Sequence, residues 1–146
     1  MERKLRVKDV MARDVITVKR DVSVGDVIKI MKERDVNALP VVDEEKNLVG
    51  IITQRDLMFK TEWFDAFFYS TYDTRGFVNM ITRTLSNVAG NIMHQDLVTV
   101  GEEETICRAA QLMVEKRKRQ LPVVHNKKLV GIVSRKDVTA LIIEEC

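Results

Sequence analysis

The feature that most constrains this chain is that it contains the same pattern twice, and a repeat forces both copies toward one local fold. Residues 10–42 align without gaps with residues 92–124. Met11, Asp14, Thr17, Val18, Met31, Glu33, Leu39, Pro40, Val41 and Val42 match Met93, Asp96, Thr99, Val100, Met113, Glu115, Leu121, Pro122, Val123 and Val124. After the loss of one residue in a turn, Leu48, Val49, Gly50, Ile51 and Asp56 match Leu129, Val130, Gly131, Ile132 and Asp137. Fifteen identities in the same order are hard to reach by chance.

Each copy predicts β-α-β-β-α. An extended run comes first, Val15-Ile16-Thr17-Val18 and Leu97-Val98-Thr99-Val100. A helix follows, with Ser23 and Thr105 as natural N-caps. Behind them Val24, Val27, Ile28 and Met31, and Ile106, Ala109, Ala110 and Met113, recur at i, i+3, i+4 and i+7, the apolar face of a helix. Leu-Pro-Val-Val then opens a strand, where proline is tolerated at the first position. A polar turn leads to a second strand, Leu48 to Ile52 or Leu129 to Val133, and a closing helix starts near Thr53 or Ser134. About 55 residues bury too little surface to stand alone, so the copies are expected to pack on each other with approximate two-fold symmetry, leaving two equivalent clefts. The expected fold class is α/β, with one domain over 5–60, an aromatic-rich and helical connector over 61–86, and a second domain over 87–146.

Composition narrows the function classes. Hydrophobic residues at 45% and charged residues at 32% give a globular profile. A net charge of +2 is too near neutral to imply nucleic acid by itself. The N-terminus reads Met1-Glu2-Arg3-Lys4, without the apolar segment of a signal peptide. No apolar run approaches the ~18 residues of a membrane span. A cytoplasmic protein without membrane contact is expected. Cys107 and Cys146 lack metal-ligand spacing and read as reduced thiols. His94 and His125 occupy non-equivalent places in the repeat and read as ordinary surface or turn histidines, so no catalytic or metal cluster is expected.

The chemistry concentrates at Gly50-Ile51-Ile52-Thr53-Gln54-Arg55-Asp56 and Gly131-Ile132-Val133-Ser134-Arg135-Lys136-Asp137. Each runs from a strand into a helix, where free amides and the helix dipole favour phosphate. A carboxylate there can accept the two hydroxyls of a ribose, and the glycine allows close backbone approach. The same residues also read as capping boxes, Thr53-x-x-Asp56 and Ser134-x-x-Asp137. The two readings are compatible. Lys116-Arg117-Lys118-Arg119 fits a solvated helix end, phosphate at a cleft mouth or a nucleic-acid contact; no aromatic residue interleaves it, as a single-strand platform would need. All eight aromatic residues lie between Phe59 and Phe77. They would cover an exposed face, form a homodimer contact or bind another protein.

The duplicated pattern of Val-Met, Asp-x-x-Thr-Val, Leu-Pro-Val-Val and Leu-Val-Gly-Ile ending in Thr/Ser-x-x-Asp resembles a tandem pair of cystathionine-β-synthase-type (CBS) domains, a Bateman module. The resemblance covers nearly all of the chain except about 60–86. It implies a stand-alone regulatory module, not an enzyme, that binds AMP, ADP or ATP, or a related adenosyl compound, in its inter-domain clefts, signals by changing its domain arrangement, and pairs into a homodimer. The nucleotide would be a regulatory ligand and not a cofactor; the regulated protein is unidentified. One nucleotide site would join Ser134, Lys136 and Asp137 to Asp14, Ile16, Thr17, Val36, Asn37 and Ala38. The reciprocal site would join Thr53, Arg55 and Asp56 to Asp96, Val98, Thr99, Lys118, Arg119 and Gln120. Arg55 and Lys136 stand where the family often has a second hydroxyl residue, serving either as an added phosphate cation or as solvated helix starts. Two rivals remain: a scaffold with vestigial clefts that binds partners through the aromatic connector, and a nucleic-acid regulator using Lys116 to Arg119.

Overall fold

In the computed structural model, which describes residues 4–59 and 74–146, the chain divides into two compact units that do not follow chain order. Unit 1 gathers Met1–Val15, Glu45–Leu48 and Leu97–Cys146, and unit 2 gathers Ile16–Glu44 and Val49–Asp96. The elements are α1 (Val7–Val10), α2 (Val24–Arg34), β1 (Ala38–Val42), β2 (Leu48–Thr53), α3 (Gln54–Phe59), α4 (Thr74–Ser86), α5 (Ala89–Ile92), β3 (Val100–Gly101), α6 (Ile106–Lys116), β4 (Gln120–His125), β5 (Lys128–Ser134), α7 (Arg135–Thr139) and α8 (Ile142–Glu145). The class is α/β with small sheets, as the repeat predicts.

The main helix of each unit forms for the reasons legible in its sequence. Ser23 Oγ accepts from the Asp26 amide at 3.1 Å and opens α2, and Thr105 Oγ1 accepts from the Arg108 amide at 3.1 Å and opens α6. Val24, Val27 and Met31 are buried on α2, and Ile106, Ala109, Ala110 and Met113 on α6. Both helices stop on a left-handed residue, Asp35 at φ 52° and Arg117 at φ 54°. The basic run therefore straddles the C-terminal end of α6, where cations offset the helix dipole.

In unit 1, β3 pairs parallel with β4 and β4 antiparallel with β5, with Val100 opposite Val123 and Pro122 opposite Ile132. Proline stands third in β1 and in β4, not first as expected. The reason is visible across the ladder. The amide and carbonyl of Ile132 both bond Ala12, at 2.9 and 2.8 Å, on the far side of β5. Pro122 thus faces Ile132 in a pair that needs no N–H from it. Of the two expected extended runs, only Val18 bridges in the first, parallel to Val41, and the second contributes Val100 to β3.

Each unit has its own core, and each core borrows from the other sequence copy. Val7 and Met11, which precede the first copy's helix, pack with Ile106, Met113, Leu121, Val123 and Val133. Ala89, Ile92 and Met93, which precede the second copy's helix, pack with Val24, Val27, Leu39, Val41 and Ile52. The glycines explain how this is possible. A Cβ on Gly131 would stand 2.6 Å from Met11 Sδ and 2.9 Å from the Ala12 carbonyl oxygen, and a Cβ on Gly50 would meet Met93 in the same way. These glycines admit the protein's own methionines, a structural duty that accounts for them without the ligand approach expected above.

Unit 1 also closes its C-terminus covalently. Cys107 on α6 and Cys146 beyond α8 form a disulfide with Cα atoms 5.6 Å apart, which corrects the expectation of reduced thiols. Their separation of 39 residues hides the packing of α8 on α6 that brings them together. The connector expected to be helical over 61–86 is described only from residue 74, where α4 runs to Ser86; residues 61–73, with most of the aromatics, lie outside the described residues. No described helix is long and apolar enough to cross a membrane, and no described group of three His, Cys, Asp or Glu could hold a metal ion.

Candidate functional site

The two Thr/Ser-x-x-Asp junctions form as capping boxes, and in both the carboxylate faces back onto its own cap. In unit 1, Asp137 Oδ2 accepts from the Ser134 amide at 3.2 Å and from Ser134 Oγ at 2.8 Å, while the Asp137 amide donates to Ser134 Oγ at 3.3 Å. In unit 2, Asp56 Oδ2 accepts from the Thr53 amide at 2.9 Å and from Thr53 Oγ1 at 3.0 Å, and the Asp56 amide donates to Thr53 Oγ1 at 3.1 Å. The box satisfies helix-start donors and holds each carboxylate at the strand–helix corner.

The strand before the proline closes against the same corner. The Arg135 amide donates to the Arg119 carbonyl at 2.8 Å, and the Gln54 amide to the Asn37 carbonyl at 3.0 Å. Gln120 stands opposite Ser134 in the β4–β5 register. Each corner therefore gathers the Thr/Ser-x-x-Asp residues and the pre-proline residues of one sequence copy, a neighbourhood that the expected pairing across copies did not include. Arg119, Arg135 and Lys136 line a cavity of about 590 Å³ with Thr139 and Ala140. Arg119 and Lys136, assigned above to different sites, share it. Among the remaining expected residues, Asp14, Val98, Thr99 and Lys118 belong to unit 1, and Ile16, Thr17, Val36, Ala38, Arg55 and Asp96 to unit 2. Asp14, Thr17, Arg55 and Asp96 are exposed, whereas Ile16, Val36, Ala38, Val98, Thr99 and Lys118 are half-buried.

The two corners differ in one partner. His94 Nδ1 lies 2.8 Å from Asp56 Oδ2, and His94 is held there by backbone bonds to Ile51 at 2.9 and 3.1 Å. An ionised carboxylate only accepts, so Nδ1 carries the proton. Burial pushes the Asp56 carboxyl up, but the hydrogen bond from His94, those from the Thr53 amide and hydroxyl, and the His94 charge outweigh it and hold the group below the usual carboxylate range. His94 is thus not the ordinary surface histidine expected. Its repeat position, next to the Met93 that matches Met11, was the available signal, but its target lies 38 residues away. His125 stays exposed at the end of β4, with Nδ1 2.8 Å from Glu102 Oε1.

Known proteins resemble this chain in sequence and fold. The model of the CBS domain family matches residues 7–61 and 89–144. A CBS domain-containing protein of Dictyostelium discoideum is 30% identical over 142 residues, 97% of this chain and 93% of its own. The structure of CBSX2 in complex with AMP superposes with a TM-score of 0.73 at 29% identity, covering 95% of this chain and 96% of that one. The CBS domain pair of protein MJ0100, in complex with 5'-methylthioadenosine and S-adenosyl-L-methionine, superposes with a TM-score of 0.71 at 26% identity, covering 99% and 100%. The next three curated relatives are longer, and the chain spans 62%, 23% and 31% of them. Relatives with enzyme names match over 23–24% of their length, so the pair is one part of a larger protein there.

Proposed function

This chain belongs to the CBS domain family, as a paired regulatory module and not an enzyme, and from that premise we propose that it senses an adenine nucleotide, AMP, ADP or ATP, or a related adenosyl compound. The observation that carries the reading is the Asp137 corner. Asp137 Oδ2 is spent on the cap, while Oδ1 has no partner among the described residues. A half-buried carboxylate with one oxygen fixed and the other open is positioned to accept a ribose hydroxyl. Arg119, Arg135 and Lys136 line a cavity of the same unit whose lining does not include Asp137, and their cations suit phosphate. Relatives of the same fold hold AMP, 5'-methylthioadenosine and S-adenosyl-L-methionine.

The pairing of Asp137 and Asp56 with residues of the other sequence copy, a homodimeric state, a cytoplasmic setting, a role in energy sensing and a regulated protein partner belong to the same proposal and rest on the family resemblance. Occupancy would be read out through the arrangement of the two copies, and a ligand can bias that arrangement only by its difference in affinity between the two states. Calorimetry with AMP, ADP, ATP, 5'-methylthioadenosine and S-adenosyl-L-methionine tests the reading. Asp137→Ala should weaken binding by roughly tenfold or more, from the loss of ~1.5–3 kcal/mol in a charge-assisted bond. Equal affinity in the wild type and Asp137→Ala would remove the carboxylate from the site.

A further inference from the structure

The two corners repeat in sequence but not in what covers the carboxylate. Ala12 and His94 are equivalent residues of the two copies. Each makes two backbone bonds to the strand that precedes a corner, Ala12 to Ile132 and His94 to Ile51. In unit 1 the side chain delivered there is an exposed methyl group, which can neither donate nor accept a hydrogen bond. In unit 2 it is an imidazole that places Nδ1 on Asp56 Oδ2. Asp56 Oδ2 thus takes three donors, and the residue is only 8% exposed. His94 donates to the oxygen already spent on the cap, so what shuts this corner is cover: Asp56 is buried where Asp137 is half-buried, and a ribose diol would have to move the imidazole aside to reach the carboxylate. The cations are distributed in the same sense. Arg119, Arg135 and Lys136 line the cavity of unit 1, and the equivalent positions of the first copy are Asn37, Gln54 and Arg55.

We infer that His94 closes the Asp56 corner to a ribose diol, so that the chain takes one adenosyl ligand, at the Asp137 corner. This rests on the adenosyl reading above and adds which corner is used and which residue shuts the other. His94 acts as a positioning residue: it holds the carboxylate without touching the bound ligand.

The test is calorimetric stoichiometry on the full chain with AMP as titrant. The wild type should bind one AMP per chain. His94→Ala should bind two, because the second carboxylate is uncovered while the backbone bridge to Ile51 is retained. The double variant His94→Ala/Asp137→Ala should bind one, now at Asp56. Ala12→His places an imidazole beside Asp137 at an exposed position and should abolish binding, which decides the question even where His94→Ala fails to fold. Two AMP per wild-type chain, an unchanged stoichiometry of one in His94→Ala, or full binding in Ala12→His would each overturn the inference and leave the adenosyl reading standing. If the wild type binds none and His94→Ala binds one, the closing role of His94 stands and the proposed native function falls. Silence in both sinks the two together.

Discussion

Replacing Gly131 with alanine separates the two duties a glycine could have at this corner. The added Cβ would stand 2.6 Å from Met11 Sδ, 2.9 Å from Met11 Cγ and 2.9 Å from the Ala12 carbonyl oxygen. Methionine can swing away, since its side chain is unbranched and adaptable. The Ala12 carbonyl cannot move cheaply, because it accepts from the Ile132 amide at 2.9 Å while the Ala12 amide donates to the Ile132 carbonyl at 2.8 Å. The variant must therefore either overpack the site, at about 1–3 kcal/mol, or give up two backbone bonds at about 1 kcal/mol each. Both routes arrive near 2 kcal/mol. For a chain of this size that corresponds to a fall in Tm of roughly 4–8 °C. The assay is thermal unfolding by circular dichroism, with hydrogen exchange at the Ile132 amide to show which route is taken. Met11→Ala empties a core position and costs stability by itself, so the loss in the double variant should be less than the sum of the two separate losses, with the backbone clash persisting. A variant with unchanged Tm and lost AMP affinity would refute the argument and return the glycine to the ligand.

Further outcomes follow from single contacts. Reducing the Cys107–Cys146 disulfide frees a loop of 39 residues, and chain entropy puts the loss at about 3–4 kcal/mol; unchanged denaturant midpoints with and without reductant, with reduction confirmed by mass, would discard the tether. The carboxyl of Asp56 is lower in the folded protein than in the unfolded chain, so its contribution is present above the ordinary carboxylate pKa of about 4 and lost as pH falls through the folded value. Asp56→Asn should therefore flatten the acid limb of the stability profile, and an identical limb in the variant would argue against the His94 pair. Thr105→Ala removes the hydroxyl that accepts from the Arg108 amide and should cost ~1 kcal/mol in urea unfolding, whereas a change below a few tenths would show the cap to be unused.

What the sequence by itself determined is everything that depends on residues a few positions apart. The apolar positions of α2 and α6, their Ser23 and Thr105 caps and the Thr/Ser-x-x-Asp boxes are local patterns, and their hydrogen bonds close within three or four residues. The duplication made each reading twice as firm. Tertiary structure decided the rest. Met11 and Met93 leave their own sequence copies to pack against Gly131 and Gly50, and His94 reaches Asp56 from 38 residues away. Cys107 meets Cys146 only because α8 packs on α6. Such contacts carry no local signature, because the side chains involved are compatible with many neighbours until the chain closes long loops around them. Two corners built on the same Thr/Ser-x-x-Asp pattern thus acquired different chemistry from the residue each unit lays across the preceding strand, alanine in one and histidine in the other.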